Sequence, residues 1–155
     1  MEYSKPQKTG RARQSGFTII EAFIAVAVLA ILGSIGINVY YDFTIRTRVS
    51  ESVVVIGPIQ HAMGLHVSES GELPDALSDM DFVSHSSVAF AGDFVSSVDV
   101  IDTGVIRVQL KTRDDMFTAA GKSVVFTGQW SMGSPHITWQ VSGSVPAKYL
   151  PRGDY

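Results

Sequence analysis

An α+β fold is the expectation for this chain of 155 residues, with one long N-terminal helix followed by an antiparallel sheet of about four strands. Three observations lead there. From Phe17 to Tyr41 the only charged residue is Glu21. A helical stripe of apolar residues then runs from Val49 to Val67. From Phe94 onward the pattern changes to short alternating runs separated by Gly-, Ser- and Pro-containing turns.

Residues 1–16 are polar, contain Pro6 and Gly10, and show no hydrophobic period, so they read as a targeting leader. They hold Lys5, Lys8, Arg11 and Arg13 against Glu2, and the rest of the chain carries 8 basic and 14 acidic residues, net −6. A basic head before an acidic body places the N-terminus in the cytoplasm and exports the remainder. The acidic body also argues against nucleic acid, which requires a basic face, so DNA is not expected as a partner. With no cysteine, thiolate metal sites, thiol nucleophiles and disulfides are excluded.

The stretch 17–41 spans about 37 Å as a helix, enough to cross a bilayer core of roughly 30 Å with some tilt. Tyr40 and Tyr41 close it, as interfacial aromatics do. A cleaved secretory signal fits poorly, because the run is long, begins with an acid and precedes no small-x-small site. Glu21 demands a partner: an acid at mid-membrane costs roughly 2.5–3.5 kcal/mol.

Beyond Tyr41 the helix becomes amphipathic. Val49, Val53, Ile56, Met63 and Val67 share a face, and one helix is expected over Phe17–Ser68, bent where Gly57-Pro58 interrupts it. Ser68–Ser87 reads as a loop with a short turn at Asp79-Met80-Asp81. The strand candidates are Phe94–Ile101, Val105–Lys111, Ser123–Gln129 and Ile137–Val141. A turn is expected at 131–135, and 142–155 is expected to be irregular. The sheet has one apolar face, and the amphipathic helix half is the only cover long enough. The apolar half is then expected to protrude. The expected organisation is 1–16 leader, 17–41 membrane helix, 42–68 amphipathic helix, and 69–155 loop, sheet and C-terminal loop.

Other charged and titratable groups are read plainly. Arg46 and Arg48 snorkel beyond the apolar span. His61 and His66, five apart, do not make a metal pair, and with His85 and His136 they are surface or packing residues. Asp79, Asp81, Asp114 and Asp115 lack calcium-loop spacing and read as solvated charges. Arg152-Gly153-Asp154 is taken as a chance tripeptide at a polar terminus. No nucleophile-elbow pattern is present, and neither an enzyme nor a cofactor is expected.

The segment Gly16-Phe17-Thr18-Ile19-Ile20-Glu21 with its apolar continuation resembles the N-terminal signature of type IV pilins. The likeness continues through Tyr40–Glu51 and returns at Ile137-Thr138-Trp139 and Lys148-Tyr149-Leu150-Pro151, where it resembles type IVa pilins. It implies the pilin fold and a structural subunit of a type IV pilus, used in adhesion, twitching motility or DNA uptake. A minor pilin acting as a binding module and a type II secretion pseudopilin are the alternatives. By the same resemblance, prepilin peptidase cuts between Gly16 and Phe17, and Phe17 is N-methylated. Phe17, Thr18 and Glu21 then serve assembly, with Glu21 paired to the Phe17 amine of a neighbouring subunit. The implied partners are other pilin subunits, prepilin peptidase, the pilus assembly machinery and the inner membrane. The implied location is the inner membrane first and an extracellular fimbrium afterwards.

Two departures from the family pattern are informative. The resemblance would put a disulfide near Val141 and Asp154, so here the C-terminal loop is expected to close through Trp139, Tyr149 and Leu150 or through hydrogen bonds. Asn38 stands where the family usually has a kinking proline. Gly33 and Gly36 weaken helix nearby by about 1 kcal/mol each relative to alanine, so helix flexibility is assigned to Gly33, Gly36, Asn38 and Pro58.

Overall fold

The computed structural model describes residues 16–81, 83–134 and 136–152. Most of the leader, Pro135, and Gly153 and Asp154 of the terminal tripeptide lie outside the described residues. The chain divides into two units, one ending at Asn38 and the other running from Val39. Helix α1, Ile19–Ser70, contributes to both.

In the first unit every residue from Gly16 to Asn38 is exposed, apolar side chains on all faces included. An α-helix satisfies its own backbone bonds, so such a segment needs only an apolar surrounding. Asn38 donates its side-chain amide to the Ser34 carbonyl at 3.0 Å, so the polar group at this position is served within the helix.

In the second unit α1 buries one face: Ile45, Val49, Ser52, Ile56, Ile59, Ala62, Met63 and Val67. Ser52 is the polar member of this stripe, and its hydroxyl donates to the Val49 carbonyl at 2.7 Å. α1 continues through Pro58 without interruption. Gly57 and Pro58 are exposed, as is Val54, whose carbonyl would have accepted the missing N–H bond, so water can take that place. The helix stops at Gly71, whose φ of 77° is the left-handed geometry that ends helices, with its N–H on the Val67 carbonyl at 2.9 Å.

The segment after α1 is not a bare loop. Leu77–Asp79 forms a 3₁₀ turn, and Leu77 and Met80 are buried. Gly104 then ties this segment to the sheet. Its N–H donates to the Pro74 carbonyl at 2.9 Å, and at φ 67° a side chain would strike Leu73. Thr103 adds a 2.5 Å hydroxyl bond to the Asp75 carboxylate.

Four antiparallel strands follow in sequential order: β1 Val95–Asp102, β2 Val105–Leu110, β3 Ser123–Gln129 and β4 Thr138–Gly143. The registers Val98↔Val108 and Val108↔Val124 carry the apolar face across three strands. Ile106, Val108 and Leu110 are the buried side of β2, as their alternation predicts. Between β3 and β4 the Ser134 N–H bonds the Ser131 carbonyl at 2.9 Å, closing the described part of the expected turn. One core joins the helix stripe to the sheet, and Phe126 is the largest fully buried side chain in it among the described residues. Phe126→Ala is expected to destabilise the second unit by about 3–5 kcal/mol, read from chemical denaturation of the full chain in detergent micelles.

Candidate functional site

Two places hold the residues singled out in the sequence. The first is the start of α1. Thr18 stands at its N-cap position, and Glu21 sits three residues on. The Glu21 Oε2 atom accepts from the Thr18 backbone N–H at 2.9 Å and from its hydroxyl at 2.8 Å. The Glu21 N–H lies 3.4 Å from the same hydroxyl in return. This is a capping box, in which an N-cap hydroxyl and a third-position carboxylate satisfy each other's backbone donors. The carboxylate also meets the positive end of the helix. Glu21 therefore has an internal partner that the sequence reasoning missed, though the Thr-x-x-Glu spacing announces it. Gly16 and Phe17 precede the helix and are exposed.

The second place gathers the two ends of the folded unit. Trp139 and Tyr149 are buried, while Leu150 and Pro151 are partly so. Tyr149 donates its hydroxyl to Asp42 Oδ1 at 2.6 Å, and the Lys148 ammonium reaches the same oxygen at 2.9 Å. Arg46, one turn after Asp42, donates to the Lys148 carbonyl at 3.0 Å. Asp42, the first acid after the apolar run, thus clasps residues more than a hundred positions away. Its carboxyl is held below the ordinary aspartate range by the Tyr149 hydroxyl first and Lys148 second. The Lys148 ammonium is pushed up by Tyr149 and Asp42.

Arg46 and Arg48 do not simply snorkel. Arg48 donates to the Asp115 carbonyl, and its guanidinium lies 3.6 Å from the Asp115 carboxylate. Arg113 holds both oxygens of the Asp115 carboxylate, at 3.1 and 3.0 Å, and both guanidiniums lie near the Phe94 ring, at 5.1 and 5.3 Å from its centroid. Asp115 is therefore a bridging residue rather than a solvated charge. The reason is topological: the turn after β2 returns to the helix at Arg48, which no local pattern reports. Glu51 was similarly overlooked. Its two oxygens accept the Asp93 and Phe94 N–H groups, each at 2.6 Å, and Gly92 leaves no side chain to collide with them.

Gly33, Gly36, Asn38 and Pro58 all lie within the continuous helix. His61 and His136 line one open groove with Gln60 and Trp139, while His85 sits 3.2 Å from the Met80 carbonyl. Among the described residues no three potential metal ligands converge.

The model of the pilin family, subunits of bacterial filaments, matches residues 45–153. The fimbrial protein EcpC of Eikenella corrodens is 30% identical over 141 residues, 89% of this chain and 88% of that protein. A fimbrial protein of Neisseria meningitidis serogroup B is 28% identical, covering 81% of this chain and 71% of its own length. The type IV major pilin protein PilE1 of Neisseria gonorrhoeae is 27% identical, with 81% and 68% covered. The chain belongs to the type IV pilin family.

The clasp has a definite pH window. Asp42, lowered on folding, contributes stability above its ordinary value of about 3.9 and loses it as pH falls through the folded value. Lys148, raised on folding, contributes below its ordinary value of about 10.4 and loses it as pH rises through the folded value. Amide exchange across residues 144–152 is expected to accelerate at both extremes. In Asp42→Asn the acid-side acceleration is expected to disappear.

Proposed function

We propose that this type IV pilin is a structural subunit that assembles into a surface filament through the apolar part of α1. The observation that supports it best is that helix itself. It is membrane-length and apolar on every face, and its one acid is bonded by Thr18, two residues after Gly16. Residues 1–16 act as a leader removed between Gly16 and Phe17, and the new Phe17 amine is methylated. Phe17–Tyr41 then anchors the subunit in the inner membrane until assembly.

Assembly exchanges lipid for neighbouring helices. Burial contributes about 25 cal/mol per Å² of apolar surface taken from water, but lipid is already apolar, so close packing and polar pairing must set the register. Glu21 suits that task. Both Thr18 donors converge on Oε2, which leaves Oε1 for a donor from outside the chain. A neighbour's Phe17 amine supplies that donor at one axial offset and removes two isolated charges together. Gly33, Gly36 and Asn38 let the helix loosen as it is packed, and Pro58 does so further along.

The partners are other copies of this chain, prepilin peptidase, the assembly machinery and the inner membrane. The filament's roles are adhesion, twitching motility or DNA uptake. The family is structural, and no catalytic role is proposed.

In Glu21→Ala, cleavage is expected to proceed while sheared filaments fall sharply; normal filament yield would refute the pairing. In Gly16→Val, uncut precursor is expected to accumulate on immunoblots. Mass spectrometry of sheared filaments should find chains that begin at methylated Phe17. Chains that still carry residues 1–16 would contradict the processing step.

A further inference from the structure

Phe117 is the one described non-glycine residue with a positive φ, at 46° with ψ −122°. L side chains rarely occupy that region, so the backbone is strained there. The strain has an evident source. The 3₁₀ segment Asp114–Ala119 is pinned by the burial of Met116 and Ala119 and by the ties of Arg48 to Asp115. Between those pins Phe117 turns outward and remains 45% exposed. A strained residue that leaves a phenyl ring outside the core gains little by folding, so the ring has a use at the surface.

Its surroundings identify that use. Phe117 meets Tyr41 edge-on, with centroids 4.9 Å apart at 63°. Tyr41 neighbours Tyr40, and Phe43, two residues on, is exposed. Asp115 is fixed at Arg48, whereas Phe117 reaches Tyr41, seven residues or about 10 Å nearer the apolar stretch. The segment thus descends along α1 to the point where that stretch ends. Phe117, brought from a distant part of the sequence, joins Tyr41 and Tyr40 there, with exposed Phe43 within one helical turn.

We propose that Phe117 is a membrane-interface anchor that, with Tyr40, Tyr41 and Phe43, seats the folded unit in the lipid headgroup layer before assembly. The proposal rests on reading Phe17–Tyr41 as the membrane helix, because that reading puts the bilayer surface at Tyr41. Lipid is favoured over a second copy of the chain because the rings sit where the span must leave the hydrocarbon, and aromatic rings partition to that depth. An anchor outside the span fixes the height and rotation of the folded unit on the membrane, which a single helix leaves free.

The chain has no cysteine, so each introduced one carries a nitroxide label without ambiguity. The full-length protein would be labelled at Phe117→Cys, Ile37→Cys or Val54→Cys and placed in vesicles of phosphatidylethanolamine and phosphatidylglycerol. Collision with oxygen against a water-soluble nickel chelate reads the depth. The Phe117 label is expected at headgroup depth, between the deep Ile37 and aqueous Val54 labels. A Phe117 label as aqueous as Val54, with Ile37 deep, would overturn the anchor and leave the membrane helix intact. Aqueous readings at both Phe117 and Ile37 would overturn both readings. Shielding of Phe117 in filaments but not in vesicles would overturn the lipid anchor and identify a subunit contact instead. As a check on folding, Phe117→Gly relieves the strained φ, so the melting temperature is expected to hold or rise. A label at Phe43→Cys should nevertheless move toward water, and Phe117→Tyr should restore its depth.

Discussion

An acid at the head of a membrane-length apolar helix is the constraint on which the rest of this protein depends. Left alone, that carboxylate would oppose residence in lipid by several times the thermal energy, roughly 2.5–3.5 kcal/mol at mid-membrane. Thr18 meets part of the cost from within the chain by placing two donors on one carboxylate oxygen. The helix N-terminus contributes the rest of the favourable field. The cap lowers the cost of that charge in apolar surroundings, and both Thr18 donors fall on one of its two oxygens.

The same helix serves two surroundings, and its composition changes where they meet. Before Asn38 it needs no preferred face, because lipid or other helices can surround it. Beyond Val39 it must present one dry stripe to a sheet and one wet stripe to water. The change is sharp: Asp42 is the first acid after the run, and Ile45 the first buried side chain among the described residues. Asp42 then works at the border, as it holds the C-terminal segment where the core begins.

Much of this was legible in the chain. Helix, strands and the buried face of β2 follow from periods of 3.6 and 2, and β3 has the predicted limits. The Thr18–Glu21 cap is a local pattern and was available to be read. The remaining pairings were not. Arg48 with Asp115, Glu51 with the Asp93 and Phe94 amides, and Asp42 with Tyr149 join residues 42 to 107 positions apart. Only the return of the sheet onto the helix makes them neighbours, so isolated charges on a linear chain looked solvated. Leu77 and Met80 were passed over for a similar reason. A Ser- and Gly-rich segment hides two core residues that have no period to betray them.

Closing the C-terminal loop without cysteine shows how noncovalent terms can replace a crosslink. A disulfide in a small exported domain contributes about 2–5 kcal/mol, largely by restricting the unfolded chain. Burial of an aromatic side chain such as Tyr149 contributes about 1.5–3 kcal/mol by itself, and Trp139 and Val145 are buried with it. Apolar burial alone therefore reaches the same magnitude. What burial lacks is direction, since an apolar ring is content in many poses. The Tyr149 hydroxyl on Asp42, with Lys148 on the same oxygen, selects one of them and ties it to the helix. The two solutions differ in what can undo them. A crosslink yields to a reductant, whereas this clasp yields to acid, because protonated Asp42 can no longer serve as the charged acceptor for both donors.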